Sequence, residues 1–164
     1  MASSNDILLE CDAEDYKALV APLREAIESA AADYRRTHDS APPLIVTSAR
    51  RSLRHQAALM AAMSDAELEG MYARNGRPSY IDELEAARPL DTEKAYRILR
   101  DRKEGYISRH LYGLAADIAV EGVTDIVALR ALLETRGCSV FDEREMARAC
   151  LHVTITSPAT SEPA

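Results

Sequence analysis

Apolar side chains recur every three or four positions along much of the chain, and this spacing predicts amphipathic helices. The first such stretch predicts one long helix over residues 12–36, with Asp12 as its N-cap. The sequence SDAE, which begins at Ser64, matches a capping box and predicts the start of another helix. The same period predicts further helices at residues 53–63, 91–103 and 124–136.

Short apolar runs bounded by turn residues lie between these helices and predict buried strands. The run LIVTS occupies residues 44–48, and LAADIAV occupies residues 114–120. Near the end of the chain, CSVFDE and CLHVTIT are joined by the charged REMAR, a pattern that predicts an antiparallel hairpin. The order of elements predicts an α+β fold, in which helices flank a small, mostly antiparallel sheet.

Residues 73–90 break the regular pattern because Asn-Gly and proline punctuate them, so they predict a surface excursion with a short helical piece. Such excursions often shape access to a site. The Pro- and Ser-rich residues 157–164 predict a disordered tail. A chain of 164 residues suits one core, so we expect a single domain over residues 1–156.

Charge and cysteine content narrow the class of protein. The net charge of −7 disfavours nucleic acid as a partner, although the segment RRSLRHQ is locally basic. We find neither a signal peptide nor an apolar run near 18 residues, so we expect a protein made in the cytoplasm without a membrane partner. The three cysteines form no CxxC motif, which favours free thiols in a reducing compartment.

Any site with several histidines must use the four that the chain contains, namely His38, His55, His110 and His152. Catalytic zinc takes three His or carboxylate ligands and keeps one position open for water. His110, Asp117 and His152 would supply such a set. The spacing of His110 and Asp117 alone also occurs by chance, and a strand-capping histidine with a surface aspartate is then the commoner explanation.

The segment SRHLYGLAAD, residues 108–117, fits the pattern SxHxxGxAxD, and LHV follows on the last predicted strand. With these motifs the chain resembles the zinc-dependent D-alanyl-D-alanine metallopeptidases. That family includes DD-carboxypeptidases, D-Ala-D-Ala dipeptidases and the L-alanyl-D-glutamate endopeptidases of phage lysins. The upstream TSARRSLRHQ is similar to the family's sgyRs..hQ segment, with Arg51, Ser52 and Gln56 at matching positions. The resemblance covers about residues 44–155 and implies the fold shared with the hedgehog signalling domain.

The resemblance implies Zn²⁺ as the cofactor and His110, Asp117 and His152 as its ligands. It also implies that Arg51 and Ser108 bind carboxylate or carbonyl groups of a peptidoglycan peptide, for which the forked guanidinium is well suited. The implied activity is hydrolysis of stem peptides at D-Ala-D-Ala or L-Ala-D-Glu bonds. Separately, we expect the protein to be a monomer. Without a signal peptide, such an enzyme fits a phage or prophage lysin that reaches the wall on lysis, or a cytosolic dipeptidase.

These peptidases also need a carboxylate that takes a proton from the attacking water and passes it to the leaving amine. In many members it stands three residues before the last histidine ligand, where this chain has Ala149. Glu143 is the first substitute, because it can point across the predicted hairpin towards His152. Asp142 would face the opposite way by strand alternation, and Glu145 is the second choice. For all three acids, a solvated charge at the hairpin tip is the alternative.

Two further alternatives remain open. Cys150 shares a strand face with His152, so its thiol could occupy the fourth zinc position and close the site, or it could pack as a small apolar group. Ala149 in place of the acid favours a catalytically inactive zinc-binding domain with a binding or structural role. An α+β domain without a metal is the third possibility.

Overall fold

The computed structural model describes residues 6–73, 76–146 and 149–156, and of residues 145 and 146 it describes the backbone alone. The predicted disordered tail lies outside these residues. The chain divides into two compact units. The sheet unit consists of Met1–Arg50 with Tyr112–Ala164, and the helical unit consists of Arg51–Leu111.

Helices and strands follow one another in an order typical of an α+β protein, and this class was correctly predicted. In chain order the elements are β1 (Ile7–Leu9), α1 (Ala13–Lys17), α2 (Ala21–Thr37), β2 (Leu44–Ser48), α3 (Leu53–Ala62), α4 (Asp65–Tyr72), α5 (Ser79–Ala86), α6 (Thr92–Asp101), β3 (Ala115–Ala119), α7 (Ile126–Glu134), β4 (Cys138–Asp142) and β5 (Cys150–Ile155). Short 3₁₀ turns occupy Arg109–Tyr112 and Glu143–Met146.

The sheet has five strands in the order β1-β2-β3-β5-β4 and is mixed. The three pairs from β2 to β4 are antiparallel, and the hairpin of β4 with β5 agrees with the prediction. However, β1 pairs with β2 in parallel, so the sheet is a five-stranded mixed sheet and not the small, mostly antiparallel one that was expected. A parallel neighbour needs a long crossover, here α1 and α2, and three residues are too few to give an alternating pattern.

One face of the sheet packs against helices α2 and α7 and forms the core of the sheet unit. Along β5, the side chains of Leu151, Val153 and Ile155 are buried in this core. Cys150, His152 and Thr154 alternate with them and therefore lie on the opposite face. The alternation in β5 thus places a histidine on the face of the sheet that these two helices do not cover.

The single helix predicted over residues 12–36 is two helices, α1 and α2, joined at residues 18–20. Asp12 caps α1 as predicted, and its carboxylate accepts a 2.7 Å hydrogen bond from the N–H of Glu14. Pro22 lies in the first turn of α2. In the first turn, the missing N–H of proline removes no hydrogen bond within the helix. Inside one long helix, its ring would clash with the preceding turn.

The helical unit contains α3, α4, α5 and α6 around its own apolar cluster. The capping box at Ser64 and Glu67 forms as predicted. The short helical piece expected within residues 73–90 is α5, but one side of it is buried, which the expected surface excursion did not include. Tyr80, Ile81 and Leu84 of α5 are at most 2% exposed, because their spacing gives the helix one apolar side that enters the cluster.

Within the described ranges, no helix combines the length and the apolar character that crossing a membrane requires.

Candidate metal centre

Strands β3 and β5 bring Asp117 and His152 together. The two residues are directly opposite each other in the antiparallel register, so their side chains leave the sheet on the same side. His152 Nδ1 and Asp117 Oδ1 are 2.8 Å apart, within hydrogen-bond distance. Asp117 is 7% exposed, and His152 is half-buried. The strand register alone therefore explains one contact of the site.

His110 lies in the 3₁₀ turn that precedes β3, and it is 2% exposed. Hydrogen bonds hold both the carbonyl group and the N–H group of its backbone. The carbonyl oxygen accepts a hydrogen bond from the N–H of Arg51 at 3.1 Å, and the N–H donates to Ser108 Oγ at 3.4 Å. The predicted substrate-binding residues Arg51 and Ser108 thus adjoin the backbone of His110, and both are half-buried.

Gly113 permits the turn from His110 into β3. Its φ is +68°, in the left-handed region that other L-residues rarely adopt. A Cβ at this position would lie 2.6 Å from the carbonyl oxygen of Ala18, and the Gly113 carbonyl accepts a 3.0 Å bond from the N–H of Val20. Both the backbone conformation and the close approach therefore require glycine here.

The side chains of His110, Asp117 and His152 converge, as the motif predicted. Each offers one ligand atom, and the three atoms all lie within 4.8 Å of one another. Ligands about 2.0–2.2 Å from a tetrahedral metal ion are about 3.4 Å apart, a separation that this grouping accommodates. The group could therefore hold a metal ion. Imidazole and carboxylate ligands suit zinc, but they also suit other divalent transition metals, so the residues alone do not fix which metal binds.

Glu143 directly follows β4 and is 8% exposed. Its Oε2 accepts a 3.2 Å hydrogen bond from the thiol of Cys150, which shares the His152 face of β5. Asp142 behaves differently, because its carboxylate binds Arg144, and these hydrogen bonds lower the Asp142 pKa below its ordinary value. The alternative base Glu145 has its side chain outside the described residues.

The other candidates lie apart from the group of three ligand atoms. Among the described residues the group does not include Cys150, whose thiol instead contacts Glu143. His38 stacks on Tyr34 with ring centroids 4.3 Å apart, and His55 is exposed on α3. Neither histidine belongs to the group of His110, Asp117 and His152.

One residue of this face escaped the sequence-based prediction. Phe141 on β4 is directly opposite His152 in the register, on the side of β5 away from Asp117. It is 44% exposed. The hairpin and the position of His152 were both predicted, so counting residues across the hairpin could have identified Phe141 once the register was known.

Comparison with protein-family models, with curated proteins and with solved structures gives no match. The fold and the site together define the class: an α+β protein with a buried His–Asp–His group that could hold a metal ion.

Proposed function

We propose that this protein is a zinc-dependent peptidase of the hedgehog/DD-peptidase type that cleaves peptidoglycan stem peptides. One observation carries the proposal. The three residues that the motif resemblance names as zinc ligands, His110, Asp117 and His152, have their ligand atoms within 4.8 Å of one another. Two of them are 35 residues apart in the chain, so sequence proximity does not explain their meeting.

His110, Asp117 and His152 would hold the zinc ion and leave a coordination position open. Zinc in such a site polarises a carbonyl group and lowers the pKa of a bound water to about 7. The chain's own contribution is to fix the ligands. Asp117 and His152 are held by paired strands, and His110 is held by backbone bonds to Arg51 and Ser108. Ligands fixed in this way need little rearrangement to bind metal.

Glu143 is the proposed general base and acid. A carboxylate in this role accepts a proton from the attacking water and delivers it to the nitrogen of the leaving amine. Its burial and its hydrogen bond from Cys150 restrict its orientation on the face of the sheet that carries His152. On this proposal, the acid that many members of the resembling family carry at the position of Ala149 is supplied here by Glu143, from the turn that follows β4.

Arg51 and Ser108 are the proposed substrate-binding residues. Arginine can bind a carboxylate through two parallel hydrogen bonds, and stem peptides carry carboxylates at their D-glutamate residue and at their C-terminus. Attachment of both residues to the backbone of His110 favours this role, because it places them beside a ligand. The proposed bond is D-Ala-D-Ala or L-Ala-D-Glu, cleaved by a lysin after release or by a cytosolic dipeptidase.

The test combines metal analysis with digestion of purified peptidoglycan and of defined stem peptides. We expect one zinc per chain, release of a new amino terminus or of D-alanine, and loss of both zinc and activity in His110→Ala. His55→Ala, which changes an exposed histidine, should retain both. Protein that contains no zinc when purified without chelator, together with full activity of His110→Ala, would exclude the proposal.

A catalytically inactive zinc-binding domain is the second candidate, and Ala149 favours it. Ala149 is exposed, and its position carries no carboxylate. Glu143→Gln separates the two candidates, with Glu121→Gln at an exposed position as the matched control. The peptidase requires a fall in turnover of at least about 100-fold in Glu143→Gln alone. Stoichiometric zinc without any cleavage by the unmodified protein would instead establish the inactive domain.

A further inference from the structure

Phe141 is an exposed aromatic residue beside the candidate metal centre. Its neighbour across the β4–β5 ladder is His152, and the side chains of such a pair leave the sheet on the same side. His152 has Asp117 opposite it on the other side, so Asp117, His152 and Phe141 form one row across three strands. Cα atoms directly opposite each other in an antiparallel pair are about 4.5–5.5 Å apart. A ring at Phe141 is therefore within reach of a molecule bound at His152.

Phe141 lies on the exposed face of β4, as Ser139 does. The core-facing residues of the same strand, Cys138 and Val140, are each 6% exposed, whereas Phe141 is 44% exposed. Of the large apolar side chains that are exposed among the described residues, Phe141 is the one paired with a candidate ligand. An aromatic ring held next to a reactive centre but open to water is suited to cover an apolar part of a ligand.

We propose that Phe141 determines specificity by contacting the small aliphatic side chain of the substrate residue next to the scissile bond. This inference rests on the proposed peptidase function. Both candidate bonds have an alanine on at least one side, and an alanine methyl group offers an apolar surface small enough to fit against a ring. Glycine would lose the contact. Hydrophobic contacts of one methyl or methylene group typically discriminate about 10-fold or more between substrates.

A binding experiment tests the contact without requiring turnover. The chain has no tryptophan, so Phe141→Trp introduces a single fluorescent indole beside the site. Val127→Trp is the matched control, because Val127 is 79% exposed on α7, the helix that packs on the other face of the sheet. We expect D-alanyl-D-alanine or L-alanyl-D-glutamate to shift the emission of zinc-loaded Phe141→Trp, glycylglycine to shift it less, and none of them to affect Val127→Trp.

A kinetic experiment tests the specificity. We expect Phe141→Ala to lower kcat/KM about 10-fold for a stem peptide with alanine at the cleaved bond. For the matched peptide with glycine there, we expect a change of less than about 2-fold. Phe141→Leu, which keeps an apolar surface, should restore most of the discrimination. Zinc content should equal that of the unmodified protein in all variants, because Phe141 is not a ligand.

The outcomes separate this inference from the proposed function. If the unmodified protein cleaves stem peptides but Phe141→Ala lowers kcat/KM equally for both peptides, the inference is wrong and the function stands. If the unmodified protein cleaves nothing, the peptidase proposal fails, and an emission change with the alanine dipeptides would still support the contact. An emission that no dipeptide changes would exclude it.

Discussion

At the scale of single residues, the contact between Cys150 and Glu143 links the candidate base to the strand that carries His152. The thiol of Cys150 donates to a carboxylate that is 8% exposed, so few water molecules can replace it as a donor. A hydrogen bond to a charged group is worth about 1.5–3 kcal/mol, and a thiol is a weak donor near the lower end. We therefore regard Cys150 as a positioning residue for Glu143.

On the proposed peptidase function, removal of the thiol should lower the turnover rate more than it weakens substrate binding. We expect Cys150→Ala to reduce kcat about tenfold with little change in KM, because the base loses its orienting donor. Cys150→Ser restores a donor and should recover most of kcat. Steady-state kinetics on a stem peptide measures both constants, and Cys11→Ala is a control at another half-buried cysteine. Equal losses in Cys150→Ser and Cys150→Ala would show that the thiol acts only by packing.

Gly113 allows a second prediction at this scale. Gly113→Ala should lower the free energy of unfolding by about 1–3 kcal/mol through its positive φ, and by more through the clash with the Ala18 carbonyl. Gly137→Ala is a matched control, because Gly137 has a φ of +83° but an added Cβ there would meet nothing within 4 Å. Urea denaturation of both variants measures the difference. Equal losses would mean that the close approach to Ala18 carries no cost.

At the scale of elements, the sequence predicted those helices and strands whose formation depends on residues close together in the chain. The strand at Leu44–Ser48 and the capping box at Ser64 were predicted because neighbouring residues determine them. The apolar residues keep their helical spacing through the break before Pro22. For this reason, the prediction from periodicity treated α1 and α2 as one helix. The three-residue strand β1 depends on pairing with β2 and left no pattern of its own.

Helix α5 shows how a distant residue can complete an element. Its N-cap is Pro78, which makes no side-chain capping bond. Glu104 takes that role from beyond α6, because its carboxylate accepts bonds from the N–H of Ser79 at 2.7 Å and from Ser79 Oγ at 3.1 Å. These bonds, above all that from the backbone N–H, lower the pKa of Glu104 below its ordinary value of 4.5.

The sign of this shift predicts a pH dependence. A carboxyl group whose pKa is lower in the folded state stabilises the fold above its unfolded pKa, and this contribution is lost as the pH falls through the folded pKa. We expect the amide resonance of Ser79 to titrate with a midpoint below 4.5, and Glu104→Gln to abolish that titration. NMR spectra recorded between about pH 2 and 7 measure it, with Glu83→Gln on the same helix as control. A midpoint at or above 4.5 would contradict the capping role.

At the scale of the whole molecule, binding of a metal ion should stabilise the folded state. The three candidate ligands are close together only in the folded state, so zinc should bind that state preferentially. At a free zinc concentration of about 100 times Kd, the stabilisation is about 2.7 kcal/mol, which corresponds to about 5–11 °C in Tm for a chain of this size.

Calorimetry with and without a chelator measures this effect. We expect the chelator to lower the Tm of the unmodified protein and of His55→Ala by that amount, and to leave the Tm of His110→Ala unchanged. A chelator-induced shift of the same size in His110→Ala would remove His110 from the metal site.

The candidate site was more predictable than the fold around it. His110 and Asp117 belong to one short motif whose family resemblance implied both as ligands, so grouping them required no knowledge of the sheet. The position of Phe141 beside His152, by contrast, depends on strand register, which a one-residue slip would reverse. The buried side of α5 was missed because glycine and proline near it favoured a loop, while its apolar residues enter a cluster built from distant helices.

The division of the chain into Arg51–Leu111 and two flanking parts has a consequence for translation. The helical unit is continuous, so a nascent chain can complete it while the sheet unit still lacks β3, β4 and β5. A ribosome adds roughly 5–20 residues per second. The helical unit of roughly 60 residues, which lies between the two parts of the sheet unit, therefore delays completion of the sheet by about 3–12 s. His152 lies on β5, the last strand among the described residues, so the three candidate ligands are together in the nascent chain only after β5 has been synthesised.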